Sequence, residues 1–585
     1  MRAAVFVLVL SAAALAGWFL LPHPVPRFGP PIVVDGKRIT EEELQRWLVY
    51  GPCRAKLEAR KTWFLIESER ARLARRTAQA ELQRRSAERP FNADGEREQA
   101  FQAARAAAHA RLVEETTIGD EALELEYARA VEAFLRANPA LNLEAEIGRT
   151  YRRSDWFRAE LRLGLAFDTL FFPTAPAEWP EETWEALEHQ ELSMRDARDL
   201  SRRSVRELLA GRDWRELRRE DPDALSAMRD AVRSHLARKA GFETSIEGLP
   251  VGAVLAAHGD DETCPDLFVR TSELWSEVED SVEPWEIDAA RVWLTTEAAV
   301  RAALVRDGAR ELESVHDRLV SDLRVRTEQS GVELDELASA DRFPSPEAWV
   351  EYLALRESFQ LSVAKEALPN GASELALRVA RSSWIHGGGR VHVEILLASA
   401  ADIAQHRWLP NGFERARAKA EELARRIAAN DAAWKARRPG DATSAVEPFV
   451  FWNRLLDEES EWWDPPDPRA GENPRPPRNH GRFYGRTWSE LRTLLSESDA
   501  TDWSRGPSIT EHVAFTQTPG TIAGPFRCAL GYVLVRLGAR QEPERKLDPT
   551  KPADRDALVD DELRELFVRY AREARRRFAP DVVVD

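Results

Sequence analysis

HVAFTQTPGTIAGPFRCALGYVLVRLGAR, residues His512 to Arg540, contains two turn dipeptides, Pro519-Gly520 and Gly524-Pro525, followed by a β-rich run from Tyr532 to Leu537. Proline fixes one backbone angle and glycine admits the conformations that other residues avoid, so each dipeptide marks a reversal of the chain. The stretch therefore predicts the end of a helix, a turn, a short strand, a second turn and a closing strand.

Working outward, Arg390 to Leu397 alternates like a strand, Gly412 to Ala429 is an amphipathic helix, and Phe449 to Glu461 fits another. Gly481-Arg482-Phe483-Tyr484-Gly485 is a glycine-flanked word, and Ser508 to Phe515 predicts the final helix. Two stretches interrupt this order, the Pro-rich Asp464 to Arg478 and the Trp-rich Thr487 to Trp503. Gly387-Gly388-Gly389 precedes the region as a joint.

The words AF-x-x-x-PG-x-I-x-GP and GY-x-x-x-R-L, in this order and spacing, resemble the C-terminal third of a parvulin, the small PpiC-type peptidyl-prolyl isomerase domain. The resemblance implies an antiparallel sheet with helices over residues 387–540, and a site that needs no cofactor and no metal. Isomerisation demands a grip on the proline ring and a surface favouring the twisted amide. In the family this is an apolar pocket beside a polar core of two histidines, an Asp or Cys, and a Ser or Thr. Carried over by position, the first-strand His falls on Glu394, with His392 two residues earlier on the same strand face, and the last-strand His falls on Val533. The Ser/Thr position falls on Cys528, with Leu530 beside it, and the Asp/Cys position on Trp462 or, with a shift, Asp464. Phe515, Phe526 and Ile509 keep the pocket apolar. Catalytic candidates are thus Glu394, His392 and Cys528, and substrate-binding candidates are Phe515, Phe526, Ile509, Trp462 and Leu530. An apolar groove without its polar core implies binding with little turnover.

The other end of the chain sets the compartment. Ala3 to Leu21 is nineteen uncharged residues behind Met1-Arg2, close to the length that crosses a bilayer. Positive charge ahead of it predicts export of the body, with residues 1–22 either a retained anchor or a signal cut near Ala16. Residues 23–31 form a proline-rich linker. Ile32 to Leu44 then reads as a strand, an Asp35-Gly36 turn and a helix capped by Thr40 with Glu43. This opening resembles the SurA-type periplasmic chaperones.

Residues 32–173 read as a first helical SurA-like unit, with Leu44, Trp47, Leu48, Trp63, Phe64 and Ile66 at helical spacing. Residues 174–265 form a helical connector, and 266–386 a second helical unit that opens with a strand and a Thr271/Ser272-capped helix. A loose echo relates the units, Leu141 to Ile147 in one matching Val332 to Leu337 in the other. His258-Gly259-Asp260-Asp261 reads as a polar loop and not as a metal site, having no second histidine at ligand spacing. After the domain, residues 541–585 predict a charged helix and a terminal strand, Asp581 to Val584.

The 585 residues, 43% hydrophobic and 31% charged, can bury sizeable cores, so the fold class expected is α+β and predominantly α. A formal charge of −17 excludes a nucleic-acid binder, which needs a basic face. Cys53, Cys264 and Cys528 stand too far apart for a zinc motif or a disulfide framework. The reading that unites these features is an extracytoplasmic, membrane-tethered folding factor for unfolded or proline-containing polypeptides. Its alternatives are an active isomerase with a rearranged site and a scaffold for one dedicated partner.

Overall fold

The computed structural model describes residues 28–582 except 89–93, 138–152, 174–178, 188–221, 243–248, 250–251, 258–265, 310–311, 331–333, 335–336, 339–342, 366, 403–406, 410, 438–444, 463–480, 496–502, 504–507 and 529. The expected anchor, Leu141 to Ile147, the His258 loop with Cys264, and Asp464 lie outside them. Among the described residues no helix is long and apolar enough to cross a membrane.

Ile32–Val34 (β1) pairs antiparallel with Lys37–Ile39 (β2). Asp35 and Gly36 turn between them with φ of 49° and 81°, both left-handed, as a two-residue hairpin requires. Helix α1, Glu41–Tyr50, starts on the expected capping box. The Thr40 hydroxyl accepts from the Glu43 amide at 3.2 Å, and the Glu43 carboxylate accepts from the Thr40 amide at 2.6 Å. A 35-residue helix, Arg54–Glu88 (α2), packs along Asp94–Thr116 (α3), with Asp120–Ala137 (α4), Ser154–Phe171 (α5) and Pro222–Ala240 (α6) beyond. Ala253–Ala257 (β3) and Leu267–Arg270 (β4) make a second two-stranded ribbon, followed by Thr271–Val278 (α7) and Pro284–Arg306 (α8). The ribbon, short helix, long helix order thus occurs twice, and α1 packs on α7. The expected Thr/Ser cap of α7 is absent: Arg270 holds the cap position without a side-chain bond, because Thr271 already lies inside the helix and is buried.

Leu312–Ser330 (α9), Pro346–Ser362 (α10) and Ala372–His386 (α11) complete the body. Its core gathers Leu48 and Leu57 from the N-terminal part, Trp275, Trp293, Tyr352 and Phe359 from the middle, and Phe567 from the last helix of the chain. The structure is predominantly helical with small antiparallel sheets.

The remaining strands and helices follow α11. Arg390–Ser399 (β5) is central; Ala401–Asp402 (β6) and Arg407–Trp408 (β7) form a small ribbon; Gly412–Ala436 (α12) and Pro448–Glu459 (α13) lead to Arg482–Arg486 (β8). Trp488–Leu494 (α14) lies within the Trp-rich interruption, Ile509–Glu511 (α15) continues as a wide turn through Thr516, and Ile522–Cys528 (β9) and Gly531–Gln541 (β10) close the sheet. Pro552–Phe578 (α16) follows; Asp581 and Val582, the described part of the expected terminal strand, lie in a turn. The antiparallel sheet runs β8, β5, β10, β9. β10 pairs with β5 from Gly531 opposite Ser399 to Gln541 opposite Arg390, with one bulge between Leu537 and Ala539. The second turn dipeptide, Gly524-Pro525, falls inside β9. Gly524 has φ 113°, and a Cβ there would stand 2.6 Å from the Val533 carbonyl, so only glycine fits.

Candidate functional site

Side chains alternate along a strand, so β5 and β10 present two different faces. On one, Val391, Val393, Ile395 and Leu397 meet Val533, Val535 and Leu537, and Ile509, Val513, Leu491 and Leu495 pack over them. On the other, Leu396 and Leu534 pack on Leu423 and Ile427 of α12 and Phe451, Trp452, Leu455 and Leu456 of α13.

This alternation separates the sequence-predicted catalytic residues. Glu394 shares the α12/α13 face. Its carboxylate accepts from the Trp452 indole at 2.7 Å and from the Arg536 guanidinium at 3.0 Å. Arg536 lies directly across the β10 pairing and in turn sits over the Phe449 ring at 4.6 Å. His392 is on the same face at the far end of the strand, bonded to the Gln541 amide at 3.1 Å and edge-on to Tyr484. Cys528, Val533, Phe526, Phe515, Ile509 and Trp462 belong to the opposite face. Glu394 and His392 therefore do not converge with Cys528, and Glu394 serves as the anion that two donors from α13 and β10 require.

On the opposite face, Val533 stands across from Leu397 on β5 and Phe526 on β9. Val533 and Leu397 are fully buried, both at 0% exposure, so the strand position that meets Val533 is apolar as well. The Cys528 thiol is buried beside them, as a small apolar group packs. Phe526 is half-buried with the His512 ring 5.4 Å away, Trp462 is edge-on to Phe483 at 5.2 Å, and Leu530 projects from the turn between β9 and β10. Phe515 lies among Trp384 of α11 and Trp488 of α14, both 5.5 Å away, with the Arg381 guanidinium 5.3 Å from its ring. Such a surface can bury apolar side chains, and Val533 and Leu397 make its paired strand positions apolar on both strands. Among the described residues no group of three or more His, Cys, Asp or Glu could hold a metal ion.

A second site lies in the body. A cleft of about 870 Å³ runs between α2, α3 and β4, lined by Trp63, Phe64, Ala71, Ala106, Leu267 and Phe268. Trp63 is 45% exposed and Phe268 42% exposed. Glu67 and His109 face each other across it at 3.3 Å. Helical spacing grouped Trp63 with Phe64 and Ile66 as core. Adjacent helical residues point about 100° apart, however, so Phe64 is buried at the base of the cleft while Trp63 stays exposed along it. A large aromatic beside the buried stripe was the available signal.

No family model matches the chain, and no curated protein matches it. Among solved structures the chain is similar to the peptidylprolyl isomerase PrsA from Bacillus cereus, with 12% identity, a TM-score of 0.15, and coverage of 54% of this chain and 91% of that one. For PrsA from Bacillus subtilis the values are 13% identity, a TM-score of 0.14, and coverage of 54% and 90%. Similarity at this level carries no argument about function, which rests on the chain's own geometry.

Proposed function

We propose that this chain is an extracytoplasmic, membrane-tethered folding factor of the parvulin and SurA kind, which holds unfolded or proline-containing polypeptide with little or no prolyl isomerisation. The observation that carries the reading is the cleft between α2, α3 and β4, where two large aromatic side chains stand half-exposed over a floor of alanines. Covering the open parts of Trp63 and Phe268 would remove roughly 200 Å² of apolar surface from water, about 5 kcal/mol before the cost of ordering a bound segment. That suits weak, exchangeable binding of many apolar segments. Weak turnover is supported by Val533, which takes the last-strand His position that the resemblance implies and is fully buried opposite Leu397. Tethering rests on the sequence of residues 3–21.

The test is light scattering from several unrelated unfolded proteins mixed with the full chain. The reading expects suppression of aggregation for most of them, and loss of most of it in a Trp63→Ser/Phe268→Ser variant. Protection of none, or of a single client, would refute it in favour of a dedicated scaffold.

A further inference from the structure

The Trp-rich interruption between β8 and α15 does two things at once. Within the sheet domain, Leu491 and Leu495 are fully buried over the Val393/Val533 face, and Trp488 lies against Phe515 at 5.5 Å. Beyond the domain, Trp503 is 0% exposed inside the core of the helical body. Its ring meets Trp293 of α8 at 5.0 Å edge-on, Tyr352 of α10 at 5.4 Å, and Phe567 of α16 at 6.0 Å in a stacked arrangement. Three helices of the body thus form an aromatic socket for one side chain supplied by the sheet domain.

Charge reinforces the same junction. Arg381 of α11 pairs with Glu511 of α15 and with Glu565 of α16, and Arg378 pairs with Glu562 at 2.7 Å and with Glu565. We infer that Trp503 is an intramolecular latch: seated among Trp293, Tyr352 and Phe567, it holds α14 over the Val393/Val533 face and keeps that apolar face closed.

The inference rests on packing and goes beyond the function proposed above, since it concerns access to the sheet face and not the cleft. The Trp503 indole N–H is buried with no partner among the described residues. Withholding that donor from water opposes burial of the ring, a cost that the apolar contacts with Trp293, Tyr352 and Phe567 offset. An apolar face shut by the chain's own insertion stays dry until the latch leaves, which limits self-association of the free protein.

The test is hydrogen exchange of the full-length protein with Trp503→Ala. The latch predicts exchange at least tenfold faster in 488–495 and 509–515, with greater binding of an apolar fluorescent dye. Because the substitution also empties a socket in the body core, Glu511→Gln provides a second variant that leaves that core intact. It should speed exchange in the same two segments by a smaller factor and leave 284–306 and 552–578 unchanged. If Trp503→Ala does not fold, Glu511→Gln decides alone. Unchanged exchange in 488–495, or faster exchange confined to the body helices, would overturn the inference and leave Trp503 an ordinary core residue. Exchange is read without any client, so its failure is distinct from a failure of client binding.

Discussion

Replacing Glu394 with alanine tests whether that carboxylate is structural or catalytic. The substitution removes two hydrogen bonds to a charged acceptor, from Trp452 and Arg536, whose side chains pack on a face covered by α12 and α13. Such bonds contribute about 1.5–3 kcal/mol each when buried. The Glu394 and Arg536 side chains keep 12% and 17% of their exposure, which lets water repair part of the loss and sets the expected cost near the lower sum, about 3 kcal/mol. At ~1.4 kcal/mol per decade that is on the order of a hundredfold loss of protection for the β5 and β10 amides, measured by hydrogen exchange on the full chain. Glu394→Gln retains an acceptor for the indole and should lose about a third as much. Prolyl-peptide turnover, if any is detected, should be the same in both variants per folded molecule. A fall in turnover with protection intact would refute the structural role and reinstate Glu394 as a catalytic group.

Trp63→Ser alone should leave the thermal midpoint nearly unchanged, because the ring is half-exposed, and weaken aggregation suppression; a large drop in midpoint with suppression intact would mean that Trp63 is core. His386 bonds Asp561 at 3.0 Å, and that hydrogen bond raises the imidazole above its ordinary value against the opposing effect of burial. A raised histidine stabilises fully below about pH 6.5 and loses that contribution as pH rises through the folded value. Exchange in 372–386 should therefore quicken with pH above ~6.5 more steeply, after correction for intrinsic rates, than in His386→Gln; equal slopes would contradict it. Burial, and then the like charges of Glu351 and Glu347, push the Glu297 carboxyl well above the usual range, with Arg301 opposing. Its contribution is present below about pH 4.3 and lost as pH rises through the folded value, so Glu297→Gln should raise the thermal midpoint at neutral pH and leave it unchanged at acid pH; a midpoint lowered at neutral pH would contradict this.

Local chemistry made part of this fold legible. The Asp35-Gly36 turn and the Thr40/Glu43 box are complete within a few residues, so their structure follows from residue type. The strands β5 and β10 were legible from alternation. Which residues face each other was not, because register is set between strands more than a hundred residues apart. Position by words put the first-strand candidate on Glu394, whereas the residue opposite Val533 is Leu397, three positions on and across the sheet. Phe526 was legible as an apolar residue of this face, whereas Cys528, carried over as a catalytic candidate, packs within it, and the covering of Phe515 by Trp384 and Trp488 depends on packing between distant segments. The same holds for Trp503, whose composition marked only a Trp-rich interruption and whose socket is built by three helices remote in sequence.

The most direct test of the central claim is prolyl-peptide isomerisation by the full-length protein, run beside binding of the same unfolded, proline-containing chain. The account predicts binding with no acceleration of isomerisation beyond the uncatalysed rate. Acceleration of isomerisation, above all acceleration lost in Glu394→Ala, or the absence of any binding, would contradict it.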